Sequence, residues 1–256
     1  MLYSLIKNEY YKLFKKKKIY IFTLIIIAMA FIPVIINKIE DAGITFTVNT
    51  LPLENLSWST EMIIPIFVAI LVADLITTEY NEGTMKLSLV SSASRLELLT
   101  AKIITLISVI ILLVIFTMMI SYLSGALFLE WGIPFQFNDL TLTETQGILY
   151  TIGLYLLSVV PLSAFGVLIM FLGFKLKSGG SVVGLTIGIF FLMNILRQIS
   201  TLFRPFVLSN YFNTAYLLSS HGLSNKIVVL TIISAVYFLV FLGLSISDLV
   251  MKDIVK

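Results

Sequence analysis

Cysteine is absent from the 256 residues, which excludes disulfides and thiolate metal sites. Histidine occurs once, at His221. One imidazole gives neither a metal site nor a catalytic triad a partner, and His221 reads as an incidental residue of an outer loop. No G-x-x-x-x-G-K-[ST] phosphate loop occurs, so the chain has no means of that kind to bind and hydrolyse ATP. No apolar segment carries the paired carboxylates of a proton relay. These absences leave no metal, no cofactor and no enzyme active site to expect. Charge is scarce as well: Asp, Glu, Lys and Arg together make 12% of the chain, about half the share of a soluble domain.

Apolar residues take their place. They make 59% of the chain, and mean hydropathy is +1.04. Six apolar segments stand out: Ile19–Ile36, Met62–Thr78, Ile103–Leu129, Ile148–Phe174, Ser181–Leu196 and Ile227–Leu249. Most approach or exceed the roughly 20 residues of a spanning helix. Nothing polar remains to wrap six such helices in water. The expectation is one all-α, polytopic membrane domain over residues 1–256, with six transmembrane helices.

Basic residues orient it. With the N-terminus inside, the inner segments hold 13 of the 17 Lys and Arg residues, and the outer segments hold four: Lys38, Arg197, Arg204 and Lys226. That bias puts both termini in the cytoplasm, and it accounts for the net charge of +3 without a nucleic-acid partner. Ala28-Met29-Ala30 imitates a signal-peptide cleavage site, but the apolar run continues through Ile36, so an uncleaved first span is expected. Residues 1–18 place Leu2, Ile6, Tyr10 and Leu13 on one helical face with Lys7, Lys12 and Lys15 around it. This reads as an amphipathic helix lying on the inner leaflet. Glu9 falls within the apolar arc and is expected to be solvent-exposed.

The connector from Asp74 to Lys102 is the richest stretch. It carries Asp74, Glu79, Glu82, Lys86, Arg95, Glu97 and Lys102 between two long apolar runs. It reads as an acidic helix end, a glycine break at Gly83, a short amphipathic helix over Thr84–Ser91 and a capped restart at Ser94. Such a segment offers a rigid knob to a soluble partner, in which Glu79, Glu82, Thr84, Lys86 and Arg95 form the polar rim and Met85, Leu87 and Leu89 the apolar part. Asp74 itself, near the inner end of the second span, is expected to reach interfacial water or a base such as Lys102 in a structural role.

Local signals mark the helix ends. Ser94-Arg95-Leu96-Glu97 is a capping box opening the third span, and Thr141-Leu142-Thr143-Glu144 is expected to act likewise before the fourth. Ser178-Gly179-Gly180-Ser181 reads as a flexible turn. Gly180, Gly184 and Gly188 recur on one face of the fifth span, a pattern that allows close helix approach, either within the chain or to a second subunit. Between the fifth and sixth spans, 198–224 is unusually apolar for a loop. With Pro205 as a break and a preceding span of only 16 residues, it reads as a re-entrant hairpin, with Phe206 and Phe212 as candidates for an outer gate.

The basic amphipathic N-terminal helix, the six spans and the connector pattern E-x-x-x-G-T…S-R-x-x-x-x-x-x-K resemble the permease subunits of ABC-2 type ATP-binding-cassette transporters. The matching residues are Glu79, Gly83, Thr84, Ser94, Arg95 and Lys102. Ala93 and Ala101 stand where that family often has proline and glycine. The resemblance implies that the Thr84–Ser91 helix is a coupling helix docking on a separate ATPase subunit, present in two copies. It also implies a second permease subunit, identical or homologous, and a pathway between the two. Exporters of amphipathic peptides, antibiotics or toxins, including the phenol-soluble-modulin type, are the favoured comparison. A secondary transporter and a non-transporting scaffold or immunity protein remain as alternatives, and binding of a soluble ATPase separates the three.

Overall fold

The structure is a computed structural model and describes residues 2–37, 46–81, 94–131, 135–137, 140–176, 178–199, 201–218 and 223–251. Its helices are α1 (Leu2–Phe14), α2 (Lys17–Asn37), α3 (Leu51–Trp58), α4 (Ile64–Asn81), α5 (Arg95–Phe128), α6 (Glu144–Lys175), α7 (Gly179–Ile199), α8 (Thr214–Leu218) and α9 (Leu223–Met251). A small antiparallel ribbon, β1 (Phe135–Phe137) against β2 (Leu140–Leu142), sets Phe135 opposite Leu142 in the turn between α5 and α6. Six helices are long and apolar enough to cross a membrane: α2, the continuous α3–α4 rod, α5, α6, α7 and α9. The protein is an all-α, multi-pass membrane protein.

The helices outrun the apolar segments, and local chemistry explains how. The second span begins at Leu51 rather than Met62, because its polar positions are satisfied inside the bundle. Asn55 Nδ2 donates to the Ala30 carbonyl at 3.5 Å, Ser57 Oγ lies 3.0 Å from both Leu53 O and Asn213 Oδ1, and Thr60 Oγ1 donates to Leu56 O at 2.8 Å. A π-helical turn, Ser59–Ile63, joins α3 to α4 immediately before Pro65. The wider turn stands where the proline ring would collide with the carbonyl four residues back.

Three boundary expectations change. Gly179 and Gly180 are helical, not a flexible turn: Ser178 Oγ accepts from the Ser181 N–H at 3.1 Å and Ser178 O from the Val182 N–H at 3.1 Å. At the other end Arg197 stays in the helix by pairing with Glu61 at 3.2 Å. The fifth span therefore runs 21 residues, and its shortness no longer argues for a hairpin after it. The box before α6 sits two residues further on, with Gln146 Oε1 accepting from the Thr143 N–H at 3.3 Å, because Thr141 is held in β2. At α5 the expected box forms as read: Glu97 N–H donates to Ser94 Oγ at 3.2 Å, and Ser94 N–H to Glu97 Oε2 at 2.9 Å.

The α6 helix packs against α4, α5 and α9, while α5 also receives α1, α2 and α3. Tyr155 and Phe165 of α6 are fully enclosed. Close approach within the chain falls to Gly166 and Gly173: a Cβ would stand 2.8 Å from Leu106 Cδ2 at the first and 2.7 Å from Ile76 Cδ1 at the second. The most apolar window is 72% buried in α3–α4 and 67% in α6, but 22% in α7 and 11% in α9. Those last two helices therefore present most of their apolar surface to lipid or to another chain.

After α7 come two short 3₁₀ turns, Arg204–Phe206 and Leu208–Tyr211, and then α8. Leu208, Tyr211, Phe212, Ala215 and Leu218 are buried, whereas Leu202, Phe203 and Phe206 are exposed.

Candidate functional site

The connector leaves the bundle at the end of α4 and returns at Arg95. Glu82, Gly83, Thr84, Met85, Lys86, Leu87 and Leu89 lie outside the described residues. Glu79 is in the last turn of α4, and Arg95, partly exposed, is the first residue of α5. What the structure supplies is the anchorage of both roots.

Lys102, one helical face along from the Ser94 cap, is buried. Its Nζ donates to the Leu75 carbonyl at 2.7 Å and to Glu9 Oε2 at 3.2 Å. Lys12 Nζ reaches the other oxygen of Glu9 at 3.0 Å. One ammonium thus joins the helix entering the connector (α4), the helix leaving it (α5) and the N-terminal helix (α1). Tyr10 adds a hydroxyl bond to Ser108 Oγ, one turn and a half along α5. Side-chain exposure of 7% for Lys102 and 9% for Glu9 makes this a desolvated pair, in which each charge depends on the other.

This corrects two expectations. Glu9 is buried, not solvent-exposed, because α1 presents its Glu9–Leu13 face to α5 and meets Lys102 there. Asp74 does not pair with Lys102. It takes Lys16 at 3.2 Å and Lys18 at 2.9 Å, cations from the turn after α1 and from the first turn of α2, with its side chain 11% exposed. The acid in the apolar run is compensated by two lysines, one of them half in water, which suits a structural role. Together Glu9 and Asp74 pin the N-terminal lysine-rich segment to the roots of the connector.

The glycine stripe on α7 has a different environment. A Cβ at Gly180, Gly184 or Gly188 would have nothing within 4 Å. Packing inside this chain is therefore not what these glycines serve; Gly166 and Gly173 do that work and were not singled out by the sequence. Phe206 and Phe212 are not brought together. Phe212 sits in an aromatic cluster, its ring centroid 5.4 Å from Phe165 and 6.3 Å from Phe190, while Phe206 is 63% exposed and its carbonyl accepts from Tyr237 Oη at 3.1 Å.

Among the described residues no group of three or more His, Cys, Asp or Glu side chains is placed to hold a metal ion. A comparison with curated proteins returns no match. Residues 5–193, which include most of α1, both roots of the connector and the α7 glycines, match the family described as "ABC-2 family transporter protein". The match spans most of the chain and includes every residue of the Glu9–Lys102–Leu75 anchorage, and the chain therefore belongs to the ABC-2 family of transporter proteins.

Proposed function

We propose that this protein is the permease subunit of an ATP-binding-cassette exporter, worked by a separate ATPase subunit that docks on the 82–93 connector. The observation that carries this reading is the buried Lys102, which ties both roots of the connector and α1 into one unit. A docking segment transmits force only if its base does not yield. A 2.7 Å bond to Leu75 O and a buried ion pair to Glu9 give that base a stiffness a mere linker would not need. Family membership supports the same division of labour, since ABC-2 permeases work with an ATPase subunit in a lipid membrane. The chain itself performs no ATP chemistry in this scheme, and both termini lie in the cytoplasm with the connector.

Affinity purification from the native membrane should recover a soluble nucleotide-binding subunit with the permease. Leu89→Asp should weaken that association by roughly 30-fold, the loss of one apolar anchor of ~2 kcal/mol. Gly83→Trp should abolish stimulation of ATP hydrolysis by the permease. Unchanged association and unchanged ATPase rate in both variants would remove the connector from the mechanism.

A second permease subunit, identical or homologous, completes the pathway in this reading, with Gly180, Gly184 and Gly188 at the contact. The cargo is an amphipathic or hydrophobic compound, which the weakly charged, aromatic-rich spans suit; the resemblance to small ABC-2 exporters favours peptides, antibiotics and toxins among such compounds. The 198–224 segment caps the pathway from the outer side, partly sunk in the leaflet, with exposed Phe206 toward the exit and buried Phe212 as its anchor. Single cysteines placed along the segment, in a chain with none, check this with an impermeant thiol reagent. Positions 208, 212, 215 and 218 should resist labelling while 198 and 225 react quickly; uniform rapid labelling would show an ordinary solvated loop.

A further inference from the structure

Four basic residues lie outside the segments that share a face with the connector: Lys38, Arg197, Arg204 and Lys226. Lys38 is outside the described residues. The other three come from the end of α7, a 3₁₀ turn and the start of α9, and they converge on one cavity of about 590 Å³. Among the described residues Glu61 is the one acid in its lining, held 3.2 Å from Arg197 Nη1. Among the described residues the lining therefore carries three cations against one carboxylate, an excess of two positive charges.

The neutral groups of the cavity are set as donors. Asn210 Oδ1 accepts from Arg204 Nε at 3.3 Å, and Asn213 Oδ1 accepts from Ser57 Oγ at 3.0 Å and from the Tyr216 N–H at 3.1 Å. Both lone pairs of Asn213 Oδ1 and one of Asn210 Oδ1 are thus engaged, and the amide N–H groups of both side chains remain to donate. Tyr216 donates its hydroxyl to Glu54 Oε1 at 3.1 Å. Burial first, and then that carboxylate, hold the phenol above its ordinary range, so it remains an O–H engaged with Glu54.

An apolar cleft of about 270 Å³ adjoins this cavity. It shares Arg204, Asn210, Leu217 and Lys226 with it and adds Pro205, Tyr211 and Val229, with Thr201 and Asn225 at its polar edge. A donor-rich, net-positive chamber beside an apolar cleft, at the end of a membrane bundle, matches the two halves of a phospholipid. Arginine forks suit the geometry of phosphate oxygens, and a net-positive lining attracts an anion. All three cations lie beyond the residues matched to the family.

We propose that this cavity binds a phosphate group, that of an anionic phospholipid on the side opposite the connector, with the adjoining cleft taking the first part of its acyl chain. A choline headgroup brings its own cation to a positive wall and is disfavoured.

The test uses the purified full-length protein in detergent, without nucleotide, so that its outcome is separate from that of ATPase docking. Tail-labelled phosphatidylglycerol should bind about tenfold more tightly than tail-labelled phosphatidylcholine. The preference should vanish in the Arg204→Gln/Lys226→Gln variant, return in Arg204→Lys/Lys226→Arg, and shrink for the wild-type protein in about 1 M salt. Displacement of the labelled phosphatidylglycerol by inorganic phosphate would show that free phosphate suffices. Failure of inorganic phosphate to displace it, with the preference intact, would show that the lipid is the source; both results uphold phosphate as the recognised group. Equal binding of the two lipids by the wild-type protein, or a preference that survives both high salt and the double glutamine variant, would overturn the proposal.

Discussion

Replacing Lys102 by methionine should cost this protein about 3–5 kcal/mol, the penalty of leaving a carboxylate buried without its main partner. Glu9 would retain Lys12, whose side chain is 40% exposed and whose contact is therefore screened. The Leu75 carbonyl would also lose its side-chain donor. Glu9→Leu combined with Lys102→Met should recover most of that loss, because two apolar groups can fill the space of a buried ion pair at little net cost. The cycle of single and double variants should therefore show a coupling of about 2 kcal/mol or more, read from unfolding midpoints in detergent. Additive effects below about 1 kcal/mol would mean that the pair is wet and the anchorage weak. The stable double variant also separates folding from transmission. It should assemble and bind the ATPase subunit, yet stimulate hydrolysis less, because α1 would no longer be tied to the connector by charge.

Leucine at Gly184 and Gly188 should leave the single chain folded and disrupt its assembly. Nothing stands within 4 Å of a Cβ at either position, so the added side chains start in open space. In a dimer packed through this face they would hold the helices apart and weaken association by on the order of tenfold. Gly166→Leu makes the contrast: its Cβ already stands 2.8 Å from Leu106 Cδ2, and overpacking there should cost about 1–3 kcal/mol of fold stability. A cysteine at Gly184, with none elsewhere, should form an intersubunit disulfide under mild oxidation. Absence of that cross-link, together with unchanged assembly of the leucine variants, would assign the α7 face to lipid.

The number of spans, the all-α class and the capped start of the third span were readable from the sequence, because each depends on neighbours within a turn or two. A run of apolar residues must become a helix in lipid to satisfy its own backbone. Ser94 and Glu97 find each other three residues apart whatever the rest of the chain does. The sequence also marked the connector by its charge density, but it left the supports of that connector unseen. Glu9 is 93 residues from Lys102, and Asp74 is 56 from Lys18; no periodicity links positions so far apart. The two sets of glycines look alike in sequence, yet Gly166 and Gly173 are crowded and Gly180, Gly184 and Gly188 are open. Which is which depends on the rotation of each helix about its axis, and that is fixed only when the bundle packs. The same holds for Arg197, Arg204 and Lys226, scattered through an apolar stretch as single charges and gathered by the folded chain around one cavity. Local hydrogen bonding decides where helices form; burying their faces together decides which charges meet and which surfaces are left for a partner.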